Sequence, residues 1–119
     1  MSKDWKNLMA DLSAPLRDLR GGAPEVMKGF STIAQAALKA NALDTKTKEL
    51  IALAIGVATR CDDCIAFHTK AAVLQGATQE EILETLGMAI YMGAGPSVMY
   101  AAHAVDAYRQ ITPTKGETA

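Results

Sequence analysis

Apolar positions recur along this chain at steps of three and four, the period of an α-helix, and no run alternates at the step of two that a half-buried strand requires. Trp5, Leu8, Met9, Leu12, Leu16 and Leu19 predict a first helix over residues 4–20, with Pro15 as an interruption or a new start and Gly21-Gly22 as its end. Pro24, at an N1-like position, opens a second helix with the stripe Val26, Phe30, Ile33, Ala34, Ala37 and Leu38. After a loop at Asn41-Ala42, Asp44 caps a third helix that carries Glu49 and the apolar run Leu50 to Ala58. A fourth starts near Cys61 and ends at Gly76, a left-handed C-cap. Thr78 with Glu81 makes a capping box for a fifth helix running to about Met92. Gly95-Pro96 starts a sixth, ending near Ile111, and the polar stretch 112–119 reads as a disordered tail. The expectation is an all-α compact bundle of about six helices, one domain over residues 1–119 with 1–22 as an N-terminal helical extension.

Composition narrows the picture. The 119 residues are too few for two independent cores, and half are hydrophobic while only 5% are aromatic, so small and aliphatic side chains must build a closely packed helical interior. A net charge of -1 supplies no basic footprint for nucleic acid and no polybasic membrane anchor. The uncharged stretch from Gly87 to Val105 is broken by Gly93-Ala-Gly-Pro-Ser97 and reads as two buried helices rather than a membrane span. The polar start Met1-Ser-Lys-Asp-Trp-Lys, with no apolar segment after it, does not read as a signal peptide. A cytoplasmic, reducing compartment is therefore expected, where a C-x2-C pair is more often catalytic or metal-binding than structural.

The chemistry concentrates in one pattern: Glu49, Cys61, Cys64 and His68, spaced E-x11-C-x2-C-x3-H. It uses both cysteines of the chain and one of its two histidines. A C-x2-C pair can close a small redox-active disulfide. His68, one helical turn beyond Cys64 on the same face, can take the proton of a thiol whose ordinary pKa, about 8.5, keeps it mostly protonated at neutral pH. The cysteines fall in the first turn of the fourth helix, where free N–H groups and the dipole favour a thiolate. Arg60 adds positive charge there, whereas Asp62 and Asp63 oppose thiolate formation. Glu49 can reach this site and orient His68 only if the third and fourth helices pack antiparallel. Zinc is the chemical competitor, with Cys61, Cys64, His68 and either Glu49 or Asp63 as ligands. No second ligand pair comes from a distant segment, so neither metal nor cofactor is expected. Met88, Met92 and Met99, with Tyr91 and Tyr100, read as core or subunit interface, and His103 as a packed or interface histidine.

This pattern and its flanks resemble the alkylhydroperoxidase D (AhpD-like) branch of the carboxymuconolactone decarboxylase family. The resemblance runs from about residue 24 to 108, through Leu43 to Ala54, the C-x2-C-x3-H, Gly76 to Ile82, Ala89 to Gly93, Gly95-Pro96 and Ala102-His103. AhpD proper has a second histidine between the cysteines, where this chain has Asp63. The resemblance implies a thiol-dependent peroxidase working through a Cys61–Cys64 redox disulfide, with a lipoyl- or thioredoxin-type dithiol as reductant. It also implies a homohexamer, with a trimer as the alternative, and long Ala/Gly/Met-rich faces on the last two helices point the same way. Cys64 is assigned as the attacking thiol because it shares a face with His68, and Cys61 as the resolving one. The opposite order has its own case, since Cys61 lies nearer the helix terminus. Two other readings compete: a carboxymuconolactone decarboxylase-type lyase, which needs acid–base groups rather than a dithiol, and a non-catalytic helical assembly or binding module.

Overall fold

The computed structural model describes residues 3–113, and every regular element in that span is helical. The order is α1 (Trp5–Gly22), α2 (Pro24–Leu38), α3 (Thr45–Ala58), α4 (Asp62–Leu74) and α5 (Gln79–Ile111). Six helices were expected and five elements are found, because the fifth and sixth are the two arms of α5. They meet at Ala94, whose backbone (φ 57°, ψ -141°) is not helical. Pro96, two residues on, has no N–H to give Met92 and enforces the break. Gly93 sits here for a different reason: a Cβ on it would run into the buried Ser97 side chain. Pro15 does not interrupt α1, which is exposed along most of its length and runs through it. Of the tail expected from Thr112 onward, 114–119 lie outside the described residues.

The helix ends are set by local hydrogen bonds of the kinds anticipated. Asp44 accepts from the Thr47 N–H at 2.7 Å as N-cap of α3. At α5, Thr78 Oγ1 accepts from the Glu81 N–H (3.1 Å) and Glu81 Oε1 accepts from the Thr78 N–H (2.9 Å), a complete capping box. The end of α4 is a Schellman turn: Gly76 (φ 89°) donates to the Val73 carbonyl and Ala77 to that of Ala72.

The core lies among α3, α4 and α5. Leu53, Val57, Ile65, Ala66, Ile82 and Ala104 are buried there, and alanine on the second arm of α5 lets that helix approach closely. Trp5 of α1 joins them with no exposed surface. Helix α2 behaves otherwise. It buries no residue, and its stripe leaves Val26, Phe30 and Ile33 more than half exposed on the single chain.

Candidate active site

The turn joining α3 to α4 builds the site. Thr59 ends α3, and Arg60 follows with φ 59°, a left-handed conformation that costs a non-glycine residue about 1 kcal/mol. This lets Arg60 donate to the Val57 carbonyl (3.2 Å) and Cys61 to that of Gly56 (2.9 Å), a second Schellman turn built on arginine. The chain therefore reverses within two residues, with Cys61 at its exit as N-cap of α4. Cys61 Sγ accepts from the Cys64 N–H at 3.2 Å, in the place a serine or aspartate oxygen commonly takes. Gly56 completes the arrangement: a Cβ there would come to 3.0 Å from the Cβ of Cys64, so its absence allows the helices to touch beside the sulfurs.

The four residues named from spacing come together in two bonded pairs. Cys61 and Cys64 form a disulfide, with Cα atoms 5.2 Å apart. Glu49 Oε1 and His68 Nδ1 are 2.7 Å apart. Contacts between Gly56 and Cys64 and between Glu49 and His68 run in opposite directions along the two helices, so α3 and α4 are antiparallel, as Glu49 required. Glu49 is 6% exposed, far from the solvated helix residue that its lysine neighbours alone would suggest. A carboxylate so buried needs a donor, and His68 supplies it. With Nδ1–H given to Glu49, the neutral ring carries its free lone pair on Nε2, the tautomer a base requires. His68 also lines one side of an apolar cleft of about 380 Å³, with Phe30 and Ile33 of α2 opposite Ile51 and Ile55 of α3.

The other charged groups fall around this centre. Asp63 is exposed, while Asp62 pairs with Lys3 through Oδ2 and keeps Oδ1 buried without a partner among the described residues. Arg60 is exposed on the turn. His103 packs against Trp5 and Tyr100, with ring centroids 6.0 and 5.6 Å away. Across the bundle, Lys46 of α3 bonds Glu81 Oε2 at 2.8 Å. That bond, and then the Thr78 N–H, hold the Glu81 carboxyl below its ordinary range, and the same bond raises the Lys46 ammonium. With the sulfurs joined to each other, no group of three or more His, Cys, Asp or Glu gathers at metal-binding distance among the described residues. None of the helices they form is long and apolar enough to cross a membrane. Sequence reasoning missed Lys3, Arg60 in its left-handed role, and Gly56. Only Gly56 carried a signal, as a glycine inside a helix facing its neighbour.

Known proteins share this architecture. A carboxymuconolactone decarboxylase family protein of Legionella pneumophila, solved in its apo form, superposes with a TM-score of 0.89 at 52% identity, covering 92% of this chain and 98% of that one. A Thermotoga maritima family member, described as a candidate for involvement in the antioxidative response, gives 0.78 at 30% identity over 87% and 88% of the two chains. An uncharacterized protein of Cupriavidus necator is 37% identical over 105 residues, 88% of this chain and 93% of its own. The family model for carboxymuconolactone decarboxylases matches residues 24–107, so α1 lies outside the match and the whole Glu49–His68 site lies within it. This chain belongs to the carboxymuconolactone decarboxylase family.

Proposed function

We propose that this protein is a thiol-dependent peroxidase of the AhpD-like kind. The observation that carries the reading is a Cys61–Cys64 disulfide on the same helix as a histidine hydrogen-bonded to a buried glutamate. In the reduced protein, His68 Nε2 takes the Cys64 thiol proton. The thiolate attacks one oxygen of the hydroperoxide, the O–O bond breaks, and the departing alkoxide leaves as an alcohol with the proton from His68. The Cys64 sulfenic acid then condenses with the Cys61 thiol, releasing water and closing the disulfide. An external dithiol, of lipoyl or thioredoxin type, returns both sulfurs to thiols. The apolar cleft beside His68 suits an organic hydroperoxide. The antioxidative description of the Thermotoga relative supports the same chemistry. The working state we infer is a homohexamer, with a trimer as the alternative, in a cytoplasmic setting.

The test is mass spectrometry of the reduced protein after one equivalent of cumene hydroperoxide. The expected product is a Cys61–Cys64 cross-link with loss of two hydrogens. Cys61→Ser should accumulate a Cys64 sulfenic acid that dimedone traps, and Cys64→Ser should be inert. A dithiol that survives the peroxide unchanged overturns the reading. The family's name favours one second reading, lactone decarboxylation, which ultraviolet assay of carboxymuconolactone turnover would reveal.

A further inference from the structure

The first turn of α4 poses an electrostatic conflict. Its N–H groups favour a thiolate, yet Asp62 and Asp63 place two carboxylates beside the cysteines. Asp62 is the immediate neighbour of Cys61 and one of its oxygens is buried, so it is the less screened of the two. The resolution comes from the other end of the chain. Lys3 Nζ contacts Asp62 Oδ2 across 59 positions of sequence.

Lys3 is not a loose surface cation that happens to lie nearby. Its carbonyl accepts from Gln110 Nε2 at 2.6 Å. Gln110 Oε1 in turn accepts from the Trp5 N–H at 2.8 Å, and Trp5 Nε1 donates to Asp106 at 3.0 Å. The Trp5 ring is wholly buried, and the Lys3 ammonium lies 5.7 Å from its centre. Two residues of α5 and one buried indole thus fix the backbone from which Lys3 reaches the dithiol end of α4.

We propose that Lys3 is a positioning residue for the thiol chemistry: clamped by Trp5 and Gln110, it neutralises Asp62 and so restores the preference of the α4 N-terminus for a thiolate. The inference rests on the thiol reading above. It adds that the segment leading into α1, outside the family match, supplies part of the site's charge balance. The balance includes the other charged groups near the turn among the described residues. Asp4 and Asp11 of the N-terminal segment share a shallow depression with Lys3 and Asp63, Arg60 precedes Cys61, Glu49 and His68 lie one turn further on, and Asp106 is held by Trp5. Lys3 is the cation among them that touches a carboxylate next to a cysteine.

The experiment measures the rate of iodoacetamide alkylation of the reduced protein against pH, which reports thiolate formation without requiring any turnover. In Lys3→Ala the midpoint should rise by about half a pH unit at low ionic strength, and the rise should shrink in molar salt. Lys3→Arg should restore the wild-type midpoint. Lys3→Ala with Asp62→Asn should return close to it as well, because the charge that Lys3 offsets is gone. Trp5, the only tryptophan, reports by its fluorescence whether the clamp survives each substitution. An unchanged midpoint in Lys3→Ala with Trp5 still buried overturns the proposal while leaving the peroxidase reading intact. So does a raised midpoint that the added Asp62→Asn fails to correct. If Trp5 is released in Lys3→Ala, Lys3→Met, which keeps the side-chain stem, provides the same comparison. A wild-type dithiol that ignores cumene hydroperoxide removes the peroxidase reading but does not touch the alkylation result.

Discussion

At the scale of single residues, Glu49 is the most informative side chain outside the cysteines. It is buried, its carboxylate bonds His68, and that bond decides which imidazole nitrogen is free. Glu49→Gln keeps the shape but gives Nδ1 an amide that can donate to it. The proton then moves to Nε2, and the base is blocked. We expect folding and helix content to persist while the first peroxide turnover slows by roughly 10²–10⁴-fold, the span of a positioned acid–base group. The thiol pKa should rise in both Glu49→Gln and His68→Gln, and the double variant should cost clearly less than the product of the two. Wild-type turnover in Glu49→Gln would leave it a buried structural carboxylate. The pairing of Cys64 with His68 was legible because i, i+4 geometry on one helix needs no tertiary information, whereas Glu49, on α3, meets His68 only through the antiparallel packing of α3 and α4. Arg60 was read only as a charge, because a left-handed arginine looks like any other in sequence.

At the scale of elements, one link between α3 and α5 is electrostatic and titrates. The Glu81 carboxyl is held low by Lys46 and then by the Thr78 N–H, and Asp44 is held low by its hydrogen bonds from Thr47. A depressed carboxyl contributes stability that is fully present above its unfolded pKa, 4.5 for Glu81 and 3.8 for Asp44, and is lost as pH falls through the lower folded value. The midpoint of thermal unfolding should therefore stay nearly level from neutral pH to about 5 and fall below that. Glu81→Gln should lower it by a few degrees at pH 7 and make the acid decline shallower, since one of the titrating groups is absent. Circular dichroism melts at stepped pH would show this, and an equally steep decline in the variant would count against it. Both caps were readable in the sequence. The Lys46–Glu81 bridge was not, because it joins helices 35 positions apart.

At the scale of the whole molecule, the surface does not look finished. Phe30 and Ile33 on α2, Ile55 on α3, and Tyr91, Met92 and Met99 around the break in α5 are all more than half exposed. A single chain of this size does not usually leave so many large apolar groups in water. Copies of the chain packed on these faces would cover them and give α2 the burial it lacks. Sedimentation equilibrium should return a homohexamer, or a trimer as the alternative. Tyr91→Glu with Met92→Glu should lower the assembly state without reducing the helix content of the isolated chain. A wild-type protein that stays monomeric at micromolar concentration would overturn the proposal.

By itself the sequence determined what depends on neighbours along the chain: the helical period, the caps at Asp44 and Thr78, the glycine end of α4, the break before Pro96, and the grouping of two thiols with a base one turn away. These are short-range matters of dihedral preference and hydrogen bonding within a turn or two. Even the antiparallel pairing of α3 and α4 was implied, as the one geometry that could bring Glu49 to His68. Tertiary structure alone decided that the expected second-helix stripe lines an open cleft against α3 and buries none of its residues, that Trp5 anchors α1 in the core, and that Lys3 lands on Asp62. Periodicity states that a face is apolar but not what covers it. The meeting of residues 59 positions apart depends on how the packed helices bring the two ends of the chain together.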